Sequence, residues 1–222
     1  MAPTNTFLDR IPQVTRSLLI VNVIMFVATL VNEPFMIKTF AMFYPASPLF
    51  HWWQPLTHMF MHGGWWHILF NMYTLVMFGS VVERALGTKK FLILYFITGL
   101  GAVALHTGVE WLDLQRLSTS ADPNASATLI DMLRTPMVGA SGAIYGVLVA
   151  FAMLYPEARM TLIFPPVTLD AKWMVIIFVG IELLTGITGT QVGIAHFAHL
   201  GGALFGFLLV WYWRKRGELW RR

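Results

Sequence analysis

Residues 62–79 read HGGWWHILFNMYTLVMFG. The run suits lipid rather than water, yet it carries two side chains that lipid does not favour. These are His67 and Asn71, four positions apart and therefore on one face of a helix. Polar side chains inside a bilayer are costly and are kept where they have a task. The rest of the chain has the same apolar character. Hydrophobic residues make up 57% and charged residues 12%, with a mean hydropathy of +0.65, where a soluble domain runs at roughly 45–50% and 25%. So little charge neither coats a soluble surface nor sustains a disordered chain. The composition specifies an all-α polytopic membrane protein.

Apolar runs separate at charges and prolines into six spans, at about 17–32, 65–82, 91–109, 137–155, 171–189 and 194–213, each near the ~20 residues a bilayer requires. Without an internal repeat, they form one membrane domain over residues 1–222. Six spans put both termini on one side. That side holds Arg10, Arg16, Arg84, Lys89, Lys90, Arg159, Lys172, Arg214, Lys215, Arg216, Arg221 and Arg222, and the other only Lys38, Arg116 and Arg134. By the positive-inside rule both termini are cytoplasmic. The first span lacks a small-residue cleavage site and reads as a retained helix. With no Arg/Ser-rich leader in the sequence, the expected location is a prokaryotic plasma membrane. Residues 33–64 are rich in aromatic side chains, a composition for the headgroup interface. Residues 110–136 read as a solvated loop with a turn at Asp122-Pro123-Asn124. Total charge is too sparse for a nucleic-acid-binding face. The absence of cysteine excludes disulfides and a thiol nucleophile.

Two more spans open on polar residues. The fourth begins GASGAIYG (139–146), with Ser141 and Tyr145 one turn apart, and the sixth begins AHFAHLGGALFG (195–206), with His196 and His199. Spans two, four and six run in the same direction. His67 lies 16 positions before Glu83, Ser141 16 before Glu157 and His199 15 before Arg214. At ~1.5 Å per residue all three side chains sit roughly 22–24 Å from the cytoplasmic border, in one plane below the outer surface. A hydroxyl, an imidazole and a set of donors thus meet at one depth. The stripes Gly142-x-x-x-Gly146 and Gly202-x-x-x-Gly206 allow spans four and six to pack closely. Such closeness is what a Ser–His hydrogen bond across two helices requires. Gly139 and Gly142 let the backbone turn tightly around Ser141. A helix starting there points unpaired N–H groups toward developing negative charge. Taken singly, each residue also has a structural reading, as a packing or cross-linking group; the coincidence of depth favours a site. A zinc site is disfavoured, because the histidines 58, 62, 67, 196 and 199 lack the H-E-x-x-H pattern and a carboxylate base.

Three of these segments together resemble the rhomboid family of intramembrane serine proteases. The likeness runs from His58 to about Trp213, with HGGWWHILFN at 62–71, GASGAIYG at 139–146 and AHLGGALFG at 198–206 in family order and spacing. Glu83-Arg84 matches a further family pair. The resemblance is to the minimal six-helix bacterial form. It implies Ser141 as nucleophile, His199 as general base, and His67, Asn71 and the Ser141 backbone N–H as oxyanion hole. It implies Tyr145 beside the catalytic imidazole, with Gly139, Gly142, Gly202, His62 and His58 as supporting residues and His196 packed nearby. Where many members have Trp-Arg, this chain has Trp53-Gln54, which bears on the polar anchoring of the first external loop.

The expected reaction is hydrolysis of a peptide bond near the outer end of a substrate's transmembrane helix, with no cofactor and no metal. The partners are transmembrane-helix substrates and the lipid itself. Glu182 reads as too deep, and Asp131 as too shallow, to orient His199, so the expected machinery is a Ser–His dyad. Glu182, His51 and His106 default to structural roles. Span five, with Gly180, Gly186 and Gly189 and the uncharged TQVGI at 190–194, is the expected lateral gate. The alternatives are a rhomboid-like non-catalytic binder of transmembrane helices, disfavoured because Ser and His are both present, and a transporter, disfavoured because it needs a continuous polar pathway and spans one, three and five are nearly free of paired charges.

Overall fold

The computed structural model describes residues 6–162, 166–188 and 195–219. Eight helices carry the architecture of the described residues: α1 (Gln13–Val31), α2 (Glu33–Phe40), α3 (Trp65–Leu86), α4 (Thr88–Ser118), α5 (Ala125–Arg134), α6 (Ser141–Leu154), α7 (Ala171–Thr188) and α8 (Ala195–Lys215). A short antiparallel pair, β1 (Arg159–Thr161) with β2 (Thr168–Asp170), joins α6 to α7. Four of these helices, α1, α3, α4 and α7, are long and apolar enough to cross a membrane. Helix α6 is apolar but shorter, and α8 has 21 residues.

The four long apolar helices α1, α3, α4 and α7 overlap the first, second, third and fifth apolar runs, with ends moved by local chemistry. Gly87, at φ +80°, reverses the chain between α3 and α4. Helix α4 outlasts the apolar run of span three and continues to Ser118. Ala125–Arg134 forms a further helix, so residues 110–136 are mostly helical rather than loop. Helix formers such as Leu112, Leu114 and Gln115 continue the pattern, and only the turn at 122–124 breaks it, with Asp122 Oδ1 accepting from Asn124 N at 2.9 Å. Gly189, the TQVGI stretch and residue 194, assigned from sequence to spans five and six, lie outside the described residues.

Helix α6 is buried along nearly its whole length, as expected of a helix apolar on every face. Glycines bring its neighbours into backbone contact. A Cβ at Gly202 of α8 would collide with the Gly142 carbonyl of α6, and one at Gly206 would lie 2.7 Å from the Gly146 Cα. Both glycine stripes therefore face each other, as the small-xxx-small pattern requires. Helix α1 is fixed to α3 by the buried Glu83. Its carboxylate accepts from Val14 N at 2.9 Å, Thr15 N at 2.7 Å and Thr15 Oγ1 at 2.7 Å, supplying acceptors that the first turn of α1 lacks. Gln54 takes over the anchoring of the first loop. Its amide donates to the Lys38 and Leu49 carbonyls at 3.2 and 3.0 Å and accepts from His51 N at 3.0 Å.

Candidate active site

Ser141 is the first residue of α6, entered through Gly139 at φ +132°. The first N–H groups of α6 have no intrahelical acceptor, and no side chain caps them. Across the glycine contact, Ser141 Oγ lies 2.8 Å from His199 Nε2 on α8. The Tyr145 ring, one turn further along α6, stacks on the His199 ring with centroids 4.4 Å apart and planes 9° from parallel. An imidazole held at that distance from a hydroxyl can take its proton. The structure thus brings Ser141, Tyr145 and His199 together.

His67 reaches the same place from α3. A Cβ built on Gly139 would lie 2.9 Å from His67 Nε2 and 3.5 Å from Ser141 Oγ. The glycine therefore keeps open a small space bordered by both. Asn71 Nδ2 donates to the His67 carbonyl at 2.8 Å, and the same nitrogen carries a second N–H. The His62 ring packs edge-on to His67 at 5.0 Å. His58 is buried. Its Nδ1 faces the Gln54 carbonyl at 3.1 Å, and its own carbonyl accepts from Gly139 N at 3.0 Å, fixing the turn into Ser141. Burial pushes the His58 and His62 imidazoles down to about 4. Beside Ser141 is a cavity of about 20 Å³, lined in part by Val138, Gly139 and Gly142, enough for one water.

One sequence-derived expectation is overturned. Glu182 is not too deep: its Oε1 lies 2.9 Å from His199 Nδ1 and accepts from the Tyr145 hydroxyl at 2.5 Å, while Oε2 lies 2.5 Å from His196 Nδ1. His199 therefore has an acid partner on the ring nitrogen opposite Ser141. Glu182 sits eleven residues along α7 from Ala171, and Ser141 thirteen along α6 from Leu154. That difference of ~3 Å is less than one helical turn, and a Glu side chain spans it. An acid in an apolar span was itself the signal. Asp131, by contrast, is exposed on α5. His51 stacks on Trp53 at 4.6 Å, and His106 Nε2 lies 3.6 Å from Glu110 Oε2.

The family model described as Rhomboid domain matches residues 49–216. Rhomboid protease AarA of Providencia stuartii is 29% identical over 160 residues, covering 71% of this chain and 54% of that protein. Rhomboid-like protein 11, chloroplastic, of Arabidopsis thaliana is 29% identical over 170 residues, covering 74% and 53%. The human presenilin-associated rhomboid-like protein, mitochondrial, is 31% identical over 170 residues, covering 74% and 40%. The chain spans about half the length of the curated relatives it matches, or less. Their names include a mitochondrion and a chloroplast, so the likeness does not support a prokaryotic plasma membrane in particular.

Proposed function

The chain belongs to the rhomboid family, and from that premise we propose that it is an intramembrane serine endopeptidase cleaving transmembrane helices of membrane-protein substrates near their outer end. The observation that carries this reading is the 2.8 Å approach of Ser141 Oγ to His199 Nε2 across two apolar helices. Ser141 attacks the scissile carbonyl while His199 Nε2 takes the hydroxyl proton. The imidazolium then returns that proton to the leaving amine, and water releases the acyl group by the same route. Negative charge on the carbonyl oxygen is met by the Ser141 N–H at the start of α6, by His67 and by the free N–H of Asn71. The space kept by Gly139 is where that oxygen fits. Tyr145 holds the imidazole plane, Gly142 and Gly202 set the helix approach, and His62 and His58 support the oxyanion side. No metal or cofactor enters any step.

Six crossings with both termini on the Lys/Arg-rich cytoplasmic side, in one domain over residues 1–222, support the depth argument and bring the scissile bond to the outer half of the bilayer. A substrate helix must unwind before its carbonyl is reachable, so Gly or Pro near the cut and a small residue before it favour cleavage. Entry is lateral, past α7, the least buried of the four long apolar helices. The test is cleavage of a membrane-tethered substrate together with fluorophosphonate labelling. Ser141→Ala and His199→Ala lose cleavage and labelling, and Asn71→Ala lowers kcat by about a hundredfold. Retained cleavage by Ser141→Ala would end this reading.

A further inference from the structure

Resting on the protease reading, we infer that Glu182 is a positioning residue for His199, so that the machinery is a Ser141–His199–Glu182 triad rather than a pair. The carboxylate is held between three donors from two other helices. Tyr145 of α6 donates its hydroxyl at 2.5 Å to Oε1, which also lies 2.9 Å from His199 Nδ1, and His196 approaches Oε2 at 2.5 Å. Thr185, one turn along α7, lies 3.2 Å from the same His196 nitrogen. Glu182 is 13% exposed and both histidines less than a fifth exposed, so little water competes for these contacts.

The consequence for His199 is a matter of tautomer. An ionised carboxylate only accepts hydrogen bonds, so the ring nitrogen facing Glu182 Oε1 carries the proton. Nδ1–H then leaves the Nε2 lone pair directed at Ser141 Oγ, the form needed to take the hydroxyl proton. When that proton arrives, the ring becomes a cation with its Nδ1–H still on Glu182, and the carboxylate stays ionised throughout. His196 and Tyr145 occupy two more of the carboxylate's lone pairs and fix its plane. A mere helix tie would not need its oxygen on the one His199 nitrogen that lies opposite the nucleophile.

Glu182→Gln keeps the size and an acceptor but adds an amide N–H that competes for Nδ1. It is expected to lower kcat at least about a hundredfold with KM within about threefold, and to slow fluorophosphonate labelling of Ser141 by a similar factor. Endpoint labelling counts the folded sites, so a slower rate with an unchanged endpoint separates lost nucleophilicity from lost protein. Nitrogen-15 spectra of the histidines should show the Nδ1–H form of His199 in the wild type and a shift toward Nε2–H in Glu182→Gln. Glu182→Asp, which restores the charge, should recover part of the labelling rate. Glu182→Gln with wild-type kcat, or with a lower endpoint but the wild-type labelling rate per folded site, overturns the inference while leaving the protease reading intact. Cleavage by Ser141→Ala, in contrast, removes the reading beneath it.

Discussion

At Gly139 the backbone lies at φ +132°, and the site of a missing Cβ is shared by His67 Nε2 and Ser141 Oγ. Any side chain there is strained by about 1–3 kcal/mol and fills the space proposed for the oxyanion. Gly139→Ala is therefore expected to slow Ser141 labelling at least tenfold, a loss measurable at an unchanged endpoint. His58 and His62 make a different prediction. Their imidazoles are held at about 4 by burial, against about 6.5 in an unfolded chain. Between those values the unfolded chain binds more protons than the folded one, so stability rises with pH through the window and is complete above about 6.5. Each histidine costs up to about 3 kcal/mol on acidification to pH 4. Thermal midpoints in detergent should fall from pH 7 to pH 4, and less steeply in His62→Phe; a midpoint flat across that range would contradict the assignment.

Among the elements, α6 decides where everything else sits. Its glycines admit the backbone of α8, and that approach sets the Ser141–His199 distance. Gly202→Ala puts a methyl group against the Gly142 carbonyl, where no flexible side chain can yield. It is expected to destabilise the fold by about 3 kcal/mol or more, seen as a lower thermal midpoint together with lost labelling. Gly108 on α4 is the control: it is exposed and a Cβ there meets nothing. Gly108→Ala should stabilise by about 0.5–1 kcal/mol through helix propensity alone and leave labelling unchanged.

For the molecule as a whole, the outward faces of α1 and α7 carry large apolar side chains, among them Ile24, Val27, Ile177, Ile181 and Leu184. Facing lipid, such a surface needs no polar cover. The absence of cysteine makes topology directly measurable. Single cysteines at 38 and 122 should react with an impermeant maleimide from one side of the membrane, and those at 89 and 216 from the other. Labelling of all four from one side would refute the six-crossing arrangement. Paired cysteines locking the outer ends of α3 and α7 together should block cleavage of a tethered substrate but leave fluorophosphonate labelling in place. Unimpeded cleavage in the locked protein would show that α7 is not the entrance.

Much of this protein is determined by sequence alone. Hydropathy sets the membrane helices, because the bilayer demands a fixed length of apolar chain with its backbone internally satisfied. Counts from charged borders that differ by one residue align Ser141 and His199, because helical rise converts sequence separation into depth. The glycine stripes indicate which helices touch, because only a missing side chain allows that contact. Only the tertiary structure decided lateral position and side-chain reach. Helical rise relates positions along α7 to one another but does not name the neighbour its acid meets, so Glu182 became visible as the partner of His199 only when α6, α7 and α8 were seen together. In the same way the anchoring role of Gln54 came into view only in the folded loop, where the Lys38 and Leu49 carbonyls and the His51 N–H converge on its amide.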